Sequence, residues 1–266
     1  MLLGWWRALG ARREQAALKR RAIPDGLWKR TLVRYPFLQR SSQEDAAELR
    51  RLTSLFLDAK EFSTTGGLRL TDAMAVAIAA QASLPVLRLG LARYQHFVGI
   101  VVHPDAVVAP RSVQDPDGVV HEYTESLAGE AMDGGPVMLS WPDVRRSGQS
   151  ARHGYNVVIH EFAHVLDMAS GHADGMPELM AELPAKEWRA TLQAAFLQLE
   201  QDLEAARPTL LDPYGATGPE EFFAVASETF FVNAPQMKKE HPALYGMLSR
   251  FYLQDPASDA PPLRRA

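Results

Sequence analysis

The sequence contains no cysteine among its 266 residues. This absence excludes disulfide bonds and thiolate ligands, so any metal site must be built from histidine and carboxylate side chains. Neither sign of charge dominates, because 28 Lys and Arg residues stand against 32 Asp and Glu residues, giving a net charge of −4. A balance of this kind argues against direct, general binding of nucleic acid.

Long hydrophobic runs are also missing. The Ala- and Met-rich stretch at 73–84 is interrupted by Gln81 and followed by Pro85, so it predicts a buried core helix and not a membrane span. The first residues lack the positive charge, the longer apolar run and the small cleavage-site residues of a secretory signal. We therefore expect a cytoplasmic protein with no membrane span.

One stretch carries recognisable chemistry, His160-Glu161-Phe162-Ala163-His164 within an apolar segment. Two histidines four residues apart lie on the same face of a helix, so both can bind one metal ion, which is the arrangement of zinc-dependent hydrolases. A zinc ion lowers the pKa of a bound water to roughly 7. Glu161, directly after the first ligand, is placed to accept the proton of that water. The motif predicts a single Zn²⁺ site with Glu161 as general base.

The third metal ligand must come from elsewhere, since the glycine and third histidine of the metzincin continuation are absent. A downstream helix is predicted to start at Gly218-Pro219, because proline is favoured in the first helical turn. It carries Glu220, Glu221 and Glu228. Glu220 is expected to be a solvated acid at the helix start. Glu221 and Glu228 are two turns apart on one face, and their spacing leaves both open as the ligand.

At these residues the chain resembles the Mlc titration factor A (MtfA) family of bacterial zinc peptidases. The segments that carry the resemblance are 67–72, 78–82, 127–131, 137–144, 154–158, 160–168, 212–216, 221–231 and 251–256. The metal site also resembles that of the catalytic domain of anthrax lethal factor. The likeness covers most of the chain from about residue 28 onward.

The resemblance implies roles for individual residues. In the family, the third metal ligand is the first glutamate of the Glu-Phe-Phe-Ala run, and the resemblance therefore implies Glu221 here. A tyrosine seven residues earlier faces the metal in the family and corresponds to Tyr214, whose phenol can donate to a developing oxyanion. Glu228 then becomes an acid behind the ligands or a structural acid, and Asp167 is a candidate to orient a ligand imidazole.

We expect an α+β fold, a zincin-like metallopeptidase domain with a small sheet packed on the metal-binding helix and additional N- and C-terminal helices. Ser42 and Thr71 are predicted helix caps, and β-like runs lie at 98–103, 119–124 and 137–141. The run at 137–141 is our candidate for an edge strand that pairs with substrate, with a buried strand as the alternative. We divide the chain into a flexible basic segment 1–27, one catalytic domain 28–256 with a helical part at about 28–95, and a loose tail 257–266.

The resemblance implies an aminopeptidase-like zinc metallopeptidase acting on peptide substrates. A regulatory role is the alternative, because the family's namesake binds the DNA-binding repressor Mlc, which regulates the glucose phosphotransferase system. In that case the protein sequesters a repressor of this type and catalysis is secondary. A purely structural zinc is disfavoured, since closed structural sites normally use four protein ligands, often thiolates.

Overall fold

The structure is a computed structural model that describes residues 2–114, 120–127, 129–131, 134–150, 154–169 and 171–259. Helices dominate this part of the chain. They are α1 (Leu2–Arg20), α2 (Asp25–Arg34), α3 (Gln43–Ala59), α4 (Asp72–Ser83), α5 (Trp141–Ser150), α6 (Val157–Met168), α7 (Ala185–Glu204), α8 (Pro219–Val232), α9 (Ala234–Glu240), α10 (Pro242–Tyr252) and α11 (Pro256–Asp259).

The strands form a small mixed sheet and a separate hairpin. They are β1 (Glu61–Thr64), β2 (Gly99–His103), β3 (Val107–Gln114), β4 (Val120–Leu127), β5 (Gly129–Ala131) and β6 (Val137–Ser140). The sheet has the order β1-β2-β6-β5, in which β1, β2 and β6 run parallel and β5 runs antiparallel to β6. Strands β3 and β4 pair only with each other in the described chain. Many helices with one small sheet make this an α+β protein, as predicted.

Side-chain caps begin the helices at the predicted places. The Ser42 hydroxyl accepts a hydrogen bond from the Asp45 backbone N–H at 3.3 Å and starts α3. The Thr71 hydroxyl accepts one from the Met74 N–H at 3.3 Å and starts α4. Each cap satisfies a backbone donor that the first helical turn leaves without a partner. The predicted starts of these two helices are confirmed.

Helix α6 lies in the middle of the hydrophobic core. The ring of Phe162 is fully buried and its centroid lies 5.0 to 5.6 Å from those of Phe56, Tyr94 and Phe97. Burial of one such ring stabilises a fold by roughly 1.5–3 kcal/mol. Other faces of α6 contact α8 and β5. The helix that carries the histidine pair is therefore packed by core helices and by the end of the sheet.

The prediction that 137–141 supplies an edge strand is wrong. Strand β6 lies inside the sheet, where Val137 pairs with Ile100 on one side and with Ala131 on the other. Its Val137 and Leu139 side chains are buried, as the alternative of a buried strand required. A short apolar run has the same sequence pattern in either position. Strand β5, which was not predicted, is the neighbour of α6 and has a paired strand on one side only within the described residues.

The N-terminal segment also differs from expectation, because residues that we expected to be flexible form α1. Arg20 donates to both carboxylate oxygens of Asp58 on α3, at 3.1 and 2.8 Å, and Arg51 of α3 pairs with Glu14. Ala17, which lies between Glu14 and Arg20 in α1, is buried. These contacts attach the second half of α1 to α3, which explains why this part of the segment is a packed helix.

Part of the segment that we assigned to a loose C-terminal tail is helical. Residues 257–259 belong to α11, and the Ala257 backbone N–H donates to the Tyr245 hydroxyl at 2.9 Å. Residues 260–266 lie outside the described part of the chain. Among the described residues, no helix has the length and apolar character needed to cross a membrane.

Candidate metal centre

The histidine pair projects from one face of α6. Asn156 caps this helix by accepting a hydrogen bond from the Ile159 N–H at 3.0 Å. The imidazoles of His160 and His164 follow on one face, with their Nε2 atoms 3.2 Å apart. Each of the two histidine side chains is 12% exposed to solvent. The two nitrogens therefore meet at the surface of an otherwise buried helix.

The third group is Glu221 in the first turn of α8. Its Oε2 atom lies 3.0 Å from His160 Nε2 and 3.3 Å from His164 Nε2. That oxygen is buried and receives no hydrogen bond from the described part of the chain. Three electron-pair donors thus converge on one point.

These separations fit a bound metal ion. Ligand atoms at the corners of a tetrahedron with bonds of 2.0–2.1 Å are separated by about 3.3–3.4 Å, close to the 3.0, 3.2 and 3.3 Å found here. Two imidazoles with one carboxylate suit zinc and other divalent first-row ions. Among the described side chains, these three form the group that could hold a metal ion. Both the separations and the types of these three ligand atoms therefore fit a metal ion.

A close approach of the chain before α6 to a side chain of α8 supports this convergence. Gly154, three residues before α6, has φ +79°, and a Cβ built there would lie 2.9 Å from the Thr229 hydroxyl of α8. Glycine is favoured at positive φ, and it lets neighbouring segments approach. The start of α6 therefore lies directly against α8.

Glu228 contacts the opposite side of the His160 ring. Its Oε1 lies 2.7 Å from His160 Nδ1, and its Oε2 accepts the backbone N–H of Asn156. Burial raises the pKa of the Glu228 carboxyl, while the bonds from His160 and Asn156 lower it, and the net direction is upward. Of the two acids that the spacing left open, the structure places Glu221 at the centre and Glu228 behind a ligand.

The carboxylates favour positive charge at the centre. Burial lowers the pKa of His160, but the nearby carboxylates of Glu221 and Glu228 outweigh it and raise the pKa well above its ordinary value. Burial raises the pKa of Glu221, and its contacts with the two histidines lower it further than burial raises it. A divalent cation supplies the same positive charge, so metal binding must compete with protons for these groups.

Glu161 is buried beside the centre with 4% of its surface exposed. Burial raises the pKa of its carboxyl, against the lowering influence of His160 and His164. A Cβ built on Gly129 of β5 would lie 2.6 Å from Glu161 Oε1. The backbone of the edge strand therefore passes directly over this carboxylate, and a side chain at Gly129 would displace it.

Tyr214 lies at the rim of the centre. It belongs to a 3-10 turn, Pro213–Ala216, in which Asp212 accepts the Tyr214 backbone N–H at 2.9 Å. The Tyr214 side chain is 41% exposed, and its ring centroid lies 6.1 Å from that of His160. The phenol is thus within the same cavity as the histidines, on the solvent side.

A cavity of about 200 Å³ opens over these groups, and we call it the metal cavity. It is lined by Gly129, Glu130, Ala131, His160, Glu161, His164, Met168, Ala173, Tyr214, Glu220 and Glu221. Sequence reasoning missed β5, because its contribution is a backbone edge. The segment 127–131 resembled the family, but no residue type in it indicates chemistry. Glu220, expected to be a solvated acid, also lines the cavity.

Asp167 contacts the loop that follows α6, where its Oδ2 accepts the backbone N–H of Gly175 at 2.7 Å. Burial raises the pKa of Asp167 to about 6. Trp188 Nε1 donates to the Gly175 carbonyl at 2.8 Å. Asp167 and Trp188 together fix the loop between α6 and α7 above the core.

The glucose-regulated metallo-peptidase M90 family matches residues 9–253. The chain belongs to this family. Among its relatives, Mlc titration factor A of Pectobacterium atrosepticum is 37% identical over 84% of this chain and 84% of its own length. Mlc titration factor A of Edwardsiella ictaluri is 38% identical over 83% and 85%.

The M90 family likeness extends beyond these two proteins. An uncharacterized protein of a Synechocystis strain is 37% identical over 84% of this chain and 82% of its own length. The resemblance to the MtfA family, predicted from the motifs, is confirmed. Membership of a metallopeptidase family and the converging His160, His164 and Glu221 agree on a centre built to hold a metal ion.

Proposed function

We propose that this protein is a zinc-dependent, aminopeptidase-like metallopeptidase with a zincin-like catalytic domain. One observation carries the proposal: His160 Nε2, His164 Nε2 and Glu221 Oε2 converge within 3.0 to 3.3 Å of one another in a chain of a metallopeptidase family. These three side chains would hold a single Zn²⁺ ion. When bound, zinc supplies Lewis-acid activation of water and of the peptide carbonyl.

Glu161 acts as the general base and then as the proton donor to the leaving amine. A carboxylate is suited to both steps when its pKa lies nearer the working pH than that of a solvated acid. The burial of Glu161 and the upward direction of its pKa support this role. The contact with Gly129 holds the carboxylate on the cavity side of α6.

Strand β5 positions the peptide substrate. Its edge away from β6, which pairs with no other described strand, lines the metal cavity through Gly129, Glu130 and Ala131, and an extended peptide can add to such an edge by backbone hydrogen bonds. This places the substrate backbone across Glu161. The edge strand of the proposal is therefore β5, in place of the 137–141 run.

The charge and size of the metal cavity favour the amino end of a peptide. Besides Glu161 and Glu221, the carboxylates of Glu130 and Glu220 line it. A protonated α-amine is attracted by an excess of negative charge. The cavity volume of about 200 Å³ is below the 300–1,000 Å³ typical of sites for drug-sized ligands. It accordingly suits one terminal residue better than a long segment.

Tyr214 donates its phenolic hydrogen to the oxyanion that forms when the carbonyl is attacked. Its place at the rim, with its ring 6.1 Å from that of His160, supports this role. Removing one such donor typically lowers kcat by roughly 10²–10³-fold. Tyr214→Phe should show a loss of this size with KM nearly unchanged; full activity of the variant would remove Tyr214 from the mechanism.

The decisive experiment compares Glu161→Gln with the unmodified protein. The variant should bind one zinc ion per chain, measured by mass spectrometry of the metal, and should lose roughly 10²–10⁴-fold in hydrolysis of aminoacyl-4-nitroanilides. Glu182→Gln, at an exposed position away from the cavity, is the matched control and should retain full activity. Undiminished turnover by Glu161→Gln would refute the assignment of the base.

A second candidate function is the binding of a DNA-binding repressor. It is favoured by the relatives named Mlc titration factor A. In this role the protein sequesters a repressor of the Mlc type, and catalysis is secondary. Co-purification of such a repressor with a His160→Ala variant, at the same yield as with the unmodified protein, would support binding without metal. Loss of the repressor from both preparations would favour a stand-alone peptidase.

A further inference from the structure

A second and larger cavity, of about 580 Å³, lies between α7, the start of α8 and the loop after α6. We call it the α7 cavity. Its volume is within the range of ordinary small-molecule sites. It shares no lining residue with the metal cavity, although Glu221 lines the metal cavity and the next residue, Phe222, lines the α7 cavity. The two cavities are therefore separate but adjacent.

The interior of the α7 cavity is apolar. Trp188, Leu192 and Phe222 form its buried wall, and Phe196 packs its ring edge against Phe222 with centroids 5.6 Å apart. Leu197 is 45% exposed at its mouth. A concave apolar surface of this kind favours a hydrophobic side chain over water.

Two opposite charges stand at the mouth. Arg189 is exposed on α7 and makes no ion pair or hydrogen bond with the described residues. Asp174 is exposed on the loop, where its Oδ1 accepts the Met176 backbone N–H at 3.0 Å, and it has no ion pair with a described residue. Exposed charges are common on any surface. One charge of each sign beside the same apolar cavity, however, indicates which kind of ligand the cavity can bind.

We propose that the α7 cavity binds a free apolar α-amino acid in its zwitterionic form. The side chain enters the apolar interior, the carboxylate pairs with Arg189, and the α-ammonium pairs with Asp174. Guanidinium groups favour carboxylates through paired N–H donors. A simple carboxylic acid leaves Asp174 unpaired, and an amine leaves Arg189 unpaired, so the zwitterion is the class that complements both. This inference goes beyond the proposed peptidase activity and does not depend on it.

The test uses 4-fluorophenylalanine as the probe, with binding followed by broadening of its ¹⁹F NMR signal on titration of the whole protein. We expect saturable binding with Kd below ~10 mM. Binding should weaken at least about tenfold for two analogues, 4-fluorophenylalaninamide, which lacks the carboxylate, and 3-(4-fluorophenyl)propionate, which lacks the ammonium.

Variants locate the site. Arg189→Gln should weaken binding at least about tenfold, and so should Asp174→Asn, which keeps an acceptor for the Met176 N–H while removing the charge. Lys186→Gln is the matched control, since it removes the same charge from an exposed position of α7 outside the lining. It should bind as the unmodified protein does.

Three results would overturn the proposal. They are the absence of saturable binding, equal binding by Arg189→Gln, and equal or tighter binding of 3-(4-fluorophenyl)propionate. Because the charged groups tested are outside the metal cavity, an amino acid held at the metal centre would be unaffected by Arg189→Gln. Failure of the α7 site and failure of the peptidase mechanism are therefore distinguishable.

Discussion

The contact between Glu228 and His160 yields a prediction about metal affinity. The carboxylate of Glu228 accepts from two donors, His160 Nδ1–H at 2.7 Å and the backbone N–H of Asn156. With Nδ1 protonated, the neutral ring presents the lone pair of Nε2 to the centre. Glu228 is 2% exposed, so no water replaces a lost bond easily. We expect Glu228 to fix the ring in the tautomer that binds metal.

Glu228→Gln disturbs this arrangement without changing side-chain size. A glutamine offers one acceptor and one donor group, whereas the two partners in the structure are both donors. The backbone N–H of Asn156 cannot change, so the glutamine oxygen faces it and the amide NH₂ faces His160 Nδ1. The ring must then carry its proton on Nε2, the atom that lies 3.0 Å from Glu221 Oε2. The reverse orientation buries two opposed donors at the start of α6, which costs roughly 1–3 kcal/mol.

The expected loss of zinc affinity in Glu228→Gln follows from the typical effect of removing a group that orients a ligand histidine. Loss of the group that orients a ligand histidine typically lowers metal affinity by 10–100-fold, or about 1.4–2.8 kcal/mol. Competition with a chromophoric chelator measures the zinc dissociation constant. Glu182→Gln, at an exposed position away from the metal cavity, should stay within about twofold of the unmodified protein. A Glu228→Gln protein with unaltered zinc affinity would refute the reasoning, even if its stability were lower.

Two further predictions concern the backbone near Glu161 and the pH dependence of stability. Gly129→Ala places a Cβ 2.6 Å from Glu161 Oε1, so kcat should fall by at least about tenfold while zinc is retained. Gly246→Ala, whose added Cβ would meet nothing within 4 Å, is the control. Full activity of Gly129→Ala would contradict the proposed position of the base. For Asp167, the folded pKa of about 6 exceeds the ordinary 3.8, so its contribution to stability is present below pH ~4 and is lost as the pH rises through 6. Relative to Asp167→Asn, the unmodified protein should lose about 2 kcal/mol of unfolding free energy between pH 4 and 6, measured by urea denaturation. Asp105→Asn, at an exposed position, is the control, and equal pH dependence of the unmodified protein and Asp167→Asn would contradict the burial argument.

Local chemistry could be predicted from the sequence, and strand pairing could not. Ser42 and Thr71 caps depend on bonds within four residues, so their residue types are enough to place the starts of α3 and α4. Strand β5 has three residues with no apolar alternation. Its pairing with β6 and its contact with Glu161 depend on the whole fold. The β-like run at 137–141 predicts an edge strand, but the fold places that run inside the sheet and β5 at its end.

The third ligand shows a different limit of sequence reasoning. Glu221 and Glu228 share a face of α8, and the structure shows that both contact the same ring, Glu221 near Nε2 and Glu228 at Nδ1. Spacing places both acids toward α6, but it contains no information about which nitrogen each one meets. The resemblance to a family indicated Glu221, and the geometry places that residue at the centre.

The i, i+7 spacing on α8 also explains how two helices can define one metal centre. Seven residues advance a helix by about 10.5 Å, enough for two inward-pointing glutamates to reach a single imidazole from opposite ends. His160 is then held between Glu221 and Glu228, and its ring plane is set by α8 as well as by its own helix. The register between α6 and α8 thus determines both the ligand set and the tautomer. Gly154, whose missing side chain permits the contact with Thr229, lies where the chain entering α6 meets α8, so the geometry of the centre depends on a residue that has no functional group.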